Sequence, residues 1–226
     1  MEVFFNPLLF FLQLFLITSL TLFALKKGKE ALQSWCILLS ICMNLLVLKQ
    51  ISFFGLTVTC TEGLTIGYLL GFNLTQEFFG RKEAKKMIFL SFFAALSFVL
   101  LGQLHLAFRP SPLDTAHVHY AAIFSVMPRL LLASIASFIV VQFFDLHFFG
   151  FLKKKLKDRH LPLRLFCSLG CSQVIDTILF SFLGLFGVVS NILDVILFSI
   201  VIKMVIIFSS TLFITFSRRF VRYDSV

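Results

Sequence analysis

Three pairs of one amide and one carboxylate stand out in a chain of 226 residues that is 59% hydrophobic. Asn73 and Glu77 are four residues apart, Gln142 and Asp145 three apart, and Gln173 and Asp176 three apart. On a helix each pair shares one face. An amide offers both donors and an acceptor, and an ionised carboxylate offers acceptors only. Together they suit a polar, planar ligand with donors and acceptors along one edge. Glu62, Arg129 and Lys203 are further charges within or beside apolar stretches. Charges in such positions are costly in a bilayer, and they mark substrate or ion paths.

The elements that must position these residues are apolar runs of spanning length. Mean hydropathy is +0.99, too apolar for a soluble domain to present a surface to water. A spanning helix needs about 20 apolar residues, so the chain has room for six or seven spans and no soluble catalytic domain. The expected architecture is an all-α, polytopic helical bundle forming one integral membrane domain over 1–226. Its seven spans fall near 4–25, 31–48, 56–79, 87–108, 120–149, 165–188 and 192–217. The start of the chain lacks a signal-peptide design: Glu2 stands where a basic residue is expected, and the run from Phe4 to Leu25 is too long for an h-region.

Basic residues fall in every second gap. Apart from Lys49, Arg109, Arg129 and Lys203, all Lys and Arg lie in 26–29, 81–86, 153–164 or the tail at 218–226. The positive-inside rule puts these segments and the C-terminus in the cytoplasm, and seven spans then put the N-terminus outside. The formal charge of +9 is explained by this distribution and does not point to nucleic acid.

Depth orders the charges. Asp176 lies about eleven residues from the inner end of its span and Lys203 about eleven from the outer end of the next; at about 1.5 Å per residue, both sit roughly 16 Å deep. They are natural partners, either as a structural ion pair or as participants in transport. Glu77 and Asp145 lie nearer the cytoplasmic ends of their spans, where they face a ligand or pair with basic loops. Arg129, just after Pro128, either snorkels outward or meets an internal partner such as Glu62. Gly63, Gly67 and Gly71 recur every fourth residue, a spacing that lets a neighbouring helix approach closely. Glu62, Asn73 and Glu77 punctuate the same segment and add a second reading, in which the glycines also clear room for a ligand.

Other chemistries find no support. Cys36, Cys42, Cys60, Cys167 and Cys171 fall in or beside apolar segments without zinc-site spacing, and read as small buried hydrophobes. His117 and His119 fall in an outer loop. No Walker loop, HExxH or serine elbow is present, so no metal, cofactor or enzymatic activity is expected.

Several stretches resemble one family in order. Asn44-Leu-Leu-Val-Leu-Lys49 with Phe54-Gly55-Leu-Thr57 is similar to its early N-x-x-V-x-K…FG region. Asn73-Leu-Thr-Gln-Glu77-Phe-Phe-Gly80 and the basic run to Lys86 resemble its TD-x-x-x-E-x-YG-K-x-A-R block. Arg129 to His147 resembles its R-x-x-x-A-S…GQ-x-x-D helix, Ser172-Gln-Val-Ile-Asp176-Thr-Ile-Leu-Phe180 its S-x-x-x-D-T-x-x-F helix, and Lys203 its last-span lysine. The resemblance, over about 22–216, is to the queuosine precursor transporters, also called vitamin uptake transporters. Two positions depart from the pattern: Asn73 replaces the usual aspartate and Phe79 the usual tyrosine.

The resemblance implies uptake of a 7-deazaguanine (preQ0, preQ1 or queuine) through the inner membrane for tRNA queuosine modification. Glu77, Asp145 or Asp176 would make a bidentate contact to its donors, with Gln142 or Gln173 near the carbonyl. With no ATP-binding motif, the chain would be a facilitator, an ion-coupled carrier, or the binding subunit of a separate energising module. The alternatives are a carrier of another small vitamin or nucleobase, and a structural membrane protein whose charges serve only packing.

Overall fold

The computed structural model describes the backbone of residues 2–155 and 161–220, and side chains continuously over 5–141 and 170–205 with scattered positions outside these ranges. In chain order the elements are α1 Glu2–Lys27, α2 Lys29–Leu46, β1 Gln50–Phe53, β2 Leu56–Thr59, α3 Glu62–Phe79, α4 Arg81–Leu106, α5 His117–Phe124, α6 Met127–Lys155, α7 Leu161–Phe180, a wide π-type turn Ser181–Leu185, and α8 Ile192–Phe220. Three helical stretches among the described residues, Phe5–Lys27, Arg81–Leu106 and His117–Val141, are long and apolar enough to cross a membrane. Their outer faces carry large bare hydrophobics, such as Phe15 at 72% exposure. A water-soluble protein rarely shows so continuous an apolar surface. The chain is a helical membrane protein.

Helix boundaries depart from the expected spans in instructive places. α3 and α4 are separated only by Gly80, at φ +87°, a left-handed conformation that glycine adopts without steric cost. Arg81, Lys82, Lys85 and Lys86 therefore form the first turns of α4 instead of a loop. His117 and His119 likewise open the short helix α5 instead of lying in a loop. The cysteines are all free, but Cys171 is exposed, not buried.

The largest departure is at 50–59. The expected third span began at 56, but the helix begins at Glu62, and β1 and β2 before it form an antiparallel hairpin in an otherwise helical set of described elements. Phe53 pairs with Leu56 across a two-residue turn, Phe54-Gly55, with φ of 49° and 87°. Two positive φ values define a type I′ turn, whose twist matches that of the strands. Alternation buries Phe53 and Val58, and Phe53 packs its ring 5.3 Å from Phe10 on α1 and 4.9 Å from Phe198 on α8.

An extended backbone among apolar helices needs partners for its edges, and side chains supply them. Asn6 Nδ2 donates to Ser52 O at 2.9 Å, and Thr57 N–H donates to Asp194 Oδ2 at 2.9 Å. Gln50 Oε1 accepts from both the N–H and the hydroxyl of Ser190.

Helices α1 to α4 pack on one another, and α6, α7, the π-type turn and α8 do likewise. The two groups meet where α8 runs along β2 and α3, and where α4 touches α6. The glycines of α3 face the first group. A Cβ at Gly67 would lie 2.2 Å from Ile17 Cγ2, and one at Gly71 2.3 Å from Cys36 Sγ. The room that these glycines leave is occupied by α1 and α2, so their role is close packing and not a ligand cavity.

α7 gives way to the π-type turn, leaving carbonyls without the regular helical ladder. Arg129, at the start of α6, supplies donors: Nε to Leu183 O and Nη2 to Phe186 O, both at 2.8 Å. Arg129→Ala removes both bonds of the guanidinium, which lie at an exposed site. A loss of about 1–3 kcal/mol is expected, read as a lower unfolding midpoint of the purified protein in detergent. An unchanged midpoint would show that these bonds contribute nothing.

Candidate functional site

Ser199 and Lys203 lie four residues apart on α8, so they project from one face of the helix. Both are buried. Each reaches a different neighbour. Lys203 Nζ lies 3.3 Å from Asp176 Oδ2 and donates to Thr177 Oγ1 at 3.0 Å, both on α7. The Thr177 hydroxyl donates in turn to Gln173 O at 2.8 Å, which leaves its lone pairs free for the ammonium. Ser199 Oγ donates to Glu62 Oε1 at the start of α3. One face of α8 thus holds α7 through an ion pair and α3 through a hydroxyl–carboxylate bond.

The ion pair is asymmetric. The Lys203 side chain is 10% exposed and that of Asp176 31%. The ammonium bears most of the desolvation cost, offset by the carboxylate and by the Thr177 hydroxyl. The aspartate keeps about a third of its side chain exposed. Glu62 is more enclosed, at 6% exposure. Its Oε2 is buried and finds no hydrogen-bond partner among the described residues.

The structure brings together some of the residues singled out from sequence and separates others. Asp176 and Lys203 meet, and half-buried Gln173 sits one turn before them on α7. Asn73 is half-buried and Glu77 exposed, toward the far end of α3. Fifteen residues separate Glu77 from Glu62, about 22 Å along the helix, so no single small ligand touches both. Gln142 and Asp145 belong to α6, but their side chains lie outside the described residues. Glu62 and Arg129 do not pair: Arg129 is turned to the carbonyls after α7, while Glu62 faces α8.

Ser199, Thr177 and Asp194 were not singled out from sequence. The signal for Ser199 is its i, i+4 relation to Lys203; for Thr177, its place next to Asp176. A cleft of about 510 Å³ between α3, α4 and α6 is lined by Phe72, Gln76, Arg81, Lys85 and Phe138 among others. Neither the Asn73–Glu77 nor the Gln173–Asp176 pair is among the described residues that line it, and it lies toward the opposite end of α3 from Glu62.

This geometry defines a class: a helical membrane protein holding ionised groups inside its bundle. Residues 65–217 match the family described as "Putative vitamin uptake transporter". The chain is also 30% identical over 162 residues, 71% of each chain, to the "Probable queuosine precursor transporter" of Bacillus subtilis (strain 168). No solved structure matches. The chain belongs to the vitamin uptake transporter family, and Asp176, Thr177 and Lys203 all fall within the matched segment.

Proposed function

We propose that this protein imports a 7-deazaguanine across the inner membrane for queuosine modification of tRNA. The observation that carries the reading is its 30% identity, over 71% of the chain, to a protein named for queuosine precursor transport. The geometry is in keeping with it. A deazaguanine presents N–H and amino donors beside a carbonyl, and the partly exposed carboxylate of Asp176, held by Lys203 at Oδ2, would accept from them. Gln173, one turn away on α7, would meet the carbonyl. Asn73, Glu77, Gln142 and Asp145 are the further polar contacts along the path.

Seven helices of 18 residues or more serve as the spans in this reading. The basic segments lie on the cytoplasmic side with the C-terminus, and the N-terminus and the hairpin lie outside. Import runs without an ATPase on this chain, as a carrier or with a separate energising module.

The test is rescue. A bacterium lacking both queuosine synthesis and its own transporter would be supplied with preQ0, preQ1 or queuine and the matching insertion enzymes. Expression of this protein should restore queuosine in tRNA with at least one compound, and Asp176→Asn should abolish that rescue at low substrate. Membrane-inserted protein that rescues with none of the three would overturn the assignment. Import of a different vitamin or nucleobase would then be the reading to pursue.

A further inference from the structure

We propose that the cleft between α3, α4 and α6 binds one anionic phospholipid, taken from the leaflet on the side of the basic segments. Its phosphate sits on Arg81 and Lys85, and one of its acyl chains runs along the phenylalanines beyond them. The site needs only the membrane fold and holds whatever substrate the protein carries.

The cleft, of about 510 Å³, changes character along its length. Arg81 and Lys85 line it from the first turns of α4, one turn apart and therefore on one face. Ile88, Phe89 and Phe92 continue that face along the helix. Phe72 on α3 and Phe138 on α6 complete the apolar end, where the ring centroids of Phe92 and Phe138 lie 5.1 Å apart. From Arg81 to Phe92 the helix rises about 16 Å, close to half of a hydrocarbon core about 30 Å thick. Cations at the membrane surface and rings toward the midplane repeat the polarity profile of a lipid in its leaflet.

Charge decides which kind of lipid. Arg81 and Lys85 are exposed, and among the described residues no carboxylate lies within ion-pair distance of either. The acid between them, Glu83, is engaged elsewhere: it pairs with Lys29 at 3.5 Å and accepts from Gln33 Nε2 at 3.2 Å, both on α2. A phosphodiester matches the two free cations, the guanidinium through a fork of parallel bonds and the ammonium as a point charge. A zwitterionic headgroup brings its own cation and gains less. A deazaguanine carries no anion to meet them, and a soluble phosphate compound makes no use of the phenylalanines. Lys82 and Lys86 belong to the same basic run but do not line the cleft, which sets the site apart from the general positive charge of this side.

The way in is lateral. Phe89 is 70% exposed on a helix of spanning length, so this edge of the cleft meets the bilayer and a lipid enters without crossing water. A volume of this size holds a drug-sized molecule, which is room for the headgroup and the start of one chain. The rest of the lipid stays among its neighbours in the leaflet. The walls come from both helix groups, α3 and α4 from one and α6 from the other. A bound lipid therefore bridges the seam at the end of α3 away from the hairpin and steadies the two groups against each other.

The test uses the full chain, purified in a neutral detergent. Titrating in phosphatidylglycerol should raise the unfolding midpoint, and phosphatidylcholine with the same acyl chains should not. Arg81→Gln/Lys85→Gln should weaken the apparent affinity for phosphatidylglycerol by about thirtyfold, roughly fivefold for each cation. Lys82→Gln/Lys86→Gln removes the same charge from outside the cleft and should leave that affinity nearly unchanged. Equal weakening by the two pairs, or no preference for phosphatidylglycerol, would overturn the proposal. So would an equal rise with inorganic phosphate, the mark of a site for soluble anions. If Arg81→Gln/Lys85→Gln fails to assemble, Ile88→Trp carries the test. It fills the apolar end while keeping every charge, and it too should weaken the response to phosphatidylglycerol. An Ile88→Trp protein that responds as the wild type does would place the lipid elsewhere and overturn the site.

Discussion

Asp176→Leu is expected to cost about 3–5 kcal/mol of stability, because it strands an ammonium that is nine-tenths buried. Lys203→Met should cost less. It leaves behind a carboxylate that is one-third exposed and more easily solvated than Lys203 would be. The double variant Asp176→Leu/Lys203→Met should recover most of the loss, since a buried ion pair replaced by apolar groups of similar size is often neutral or stabilising. Uptake should not recover with it. Unfolding in mixed micelles, measured beside tRNA queuosine in the rescue strain, separates the two effects. A double variant that is both stable and active would show that the pair holds helices together and does nothing for the substrate. Equal loss from the two single variants would show that burial does not set the asymmetry.

Gly67→Ala is the second large effect. The added methyl would meet Ile17 Cγ2 at 2.2 Å and Leu39 Cδ1 at 3.1 Å. Both side chains are at least 96% buried, and the β-branched Ile17 has little rotamer freedom to move away. α1 and α3 must separate, at about 1–3 kcal/mol for a single methyl. Gly63→Ala should be nearly silent, because its nearest neighbour, at 3.2 Å, is the end of the flexible Gln13 amide. Combining Ile17→Ala with Gly67→Ala should cost less than the sum of the two single losses, as expected for residues sharing one contact. Equal destabilisation at 63 and 67, or strictly additive losses in the Ile17→Ala/Gly67→Ala double variant, would refute a direct α1–α3 contact at Gly67.

How much of this was readable in advance differs by feature. Long apolar runs located the helices, though several ends differ by six residues or more, because backbone buried in hydrocarbon is driven into helix. Depth along those runs set Asp176 and Lys203 at one level, and the structure has them 3.3 Å apart. The hairpin at 50–59 was hidden because its strands continue an apolar stretch. Its turn also begins with Phe54, a residue that seldom adopts positive φ. The glycine stripe was visible, but not what fills it.

The sequence by itself determined the membrane class, the positions of the helices and the rank of charges along them. Composition and a rise of about 1.5 Å per residue are enough for that. Only the tertiary structure decided which helix each charge faces. Rotation about a helix axis and the order of neighbours depend on side chains packing across seams such as Gly67 on Ile17. Those contacts turned Arg129 to the carbonyls after α7, set Ser199 against Glu62, and left one buried oxygen of that glutamate without a partner among the described residues.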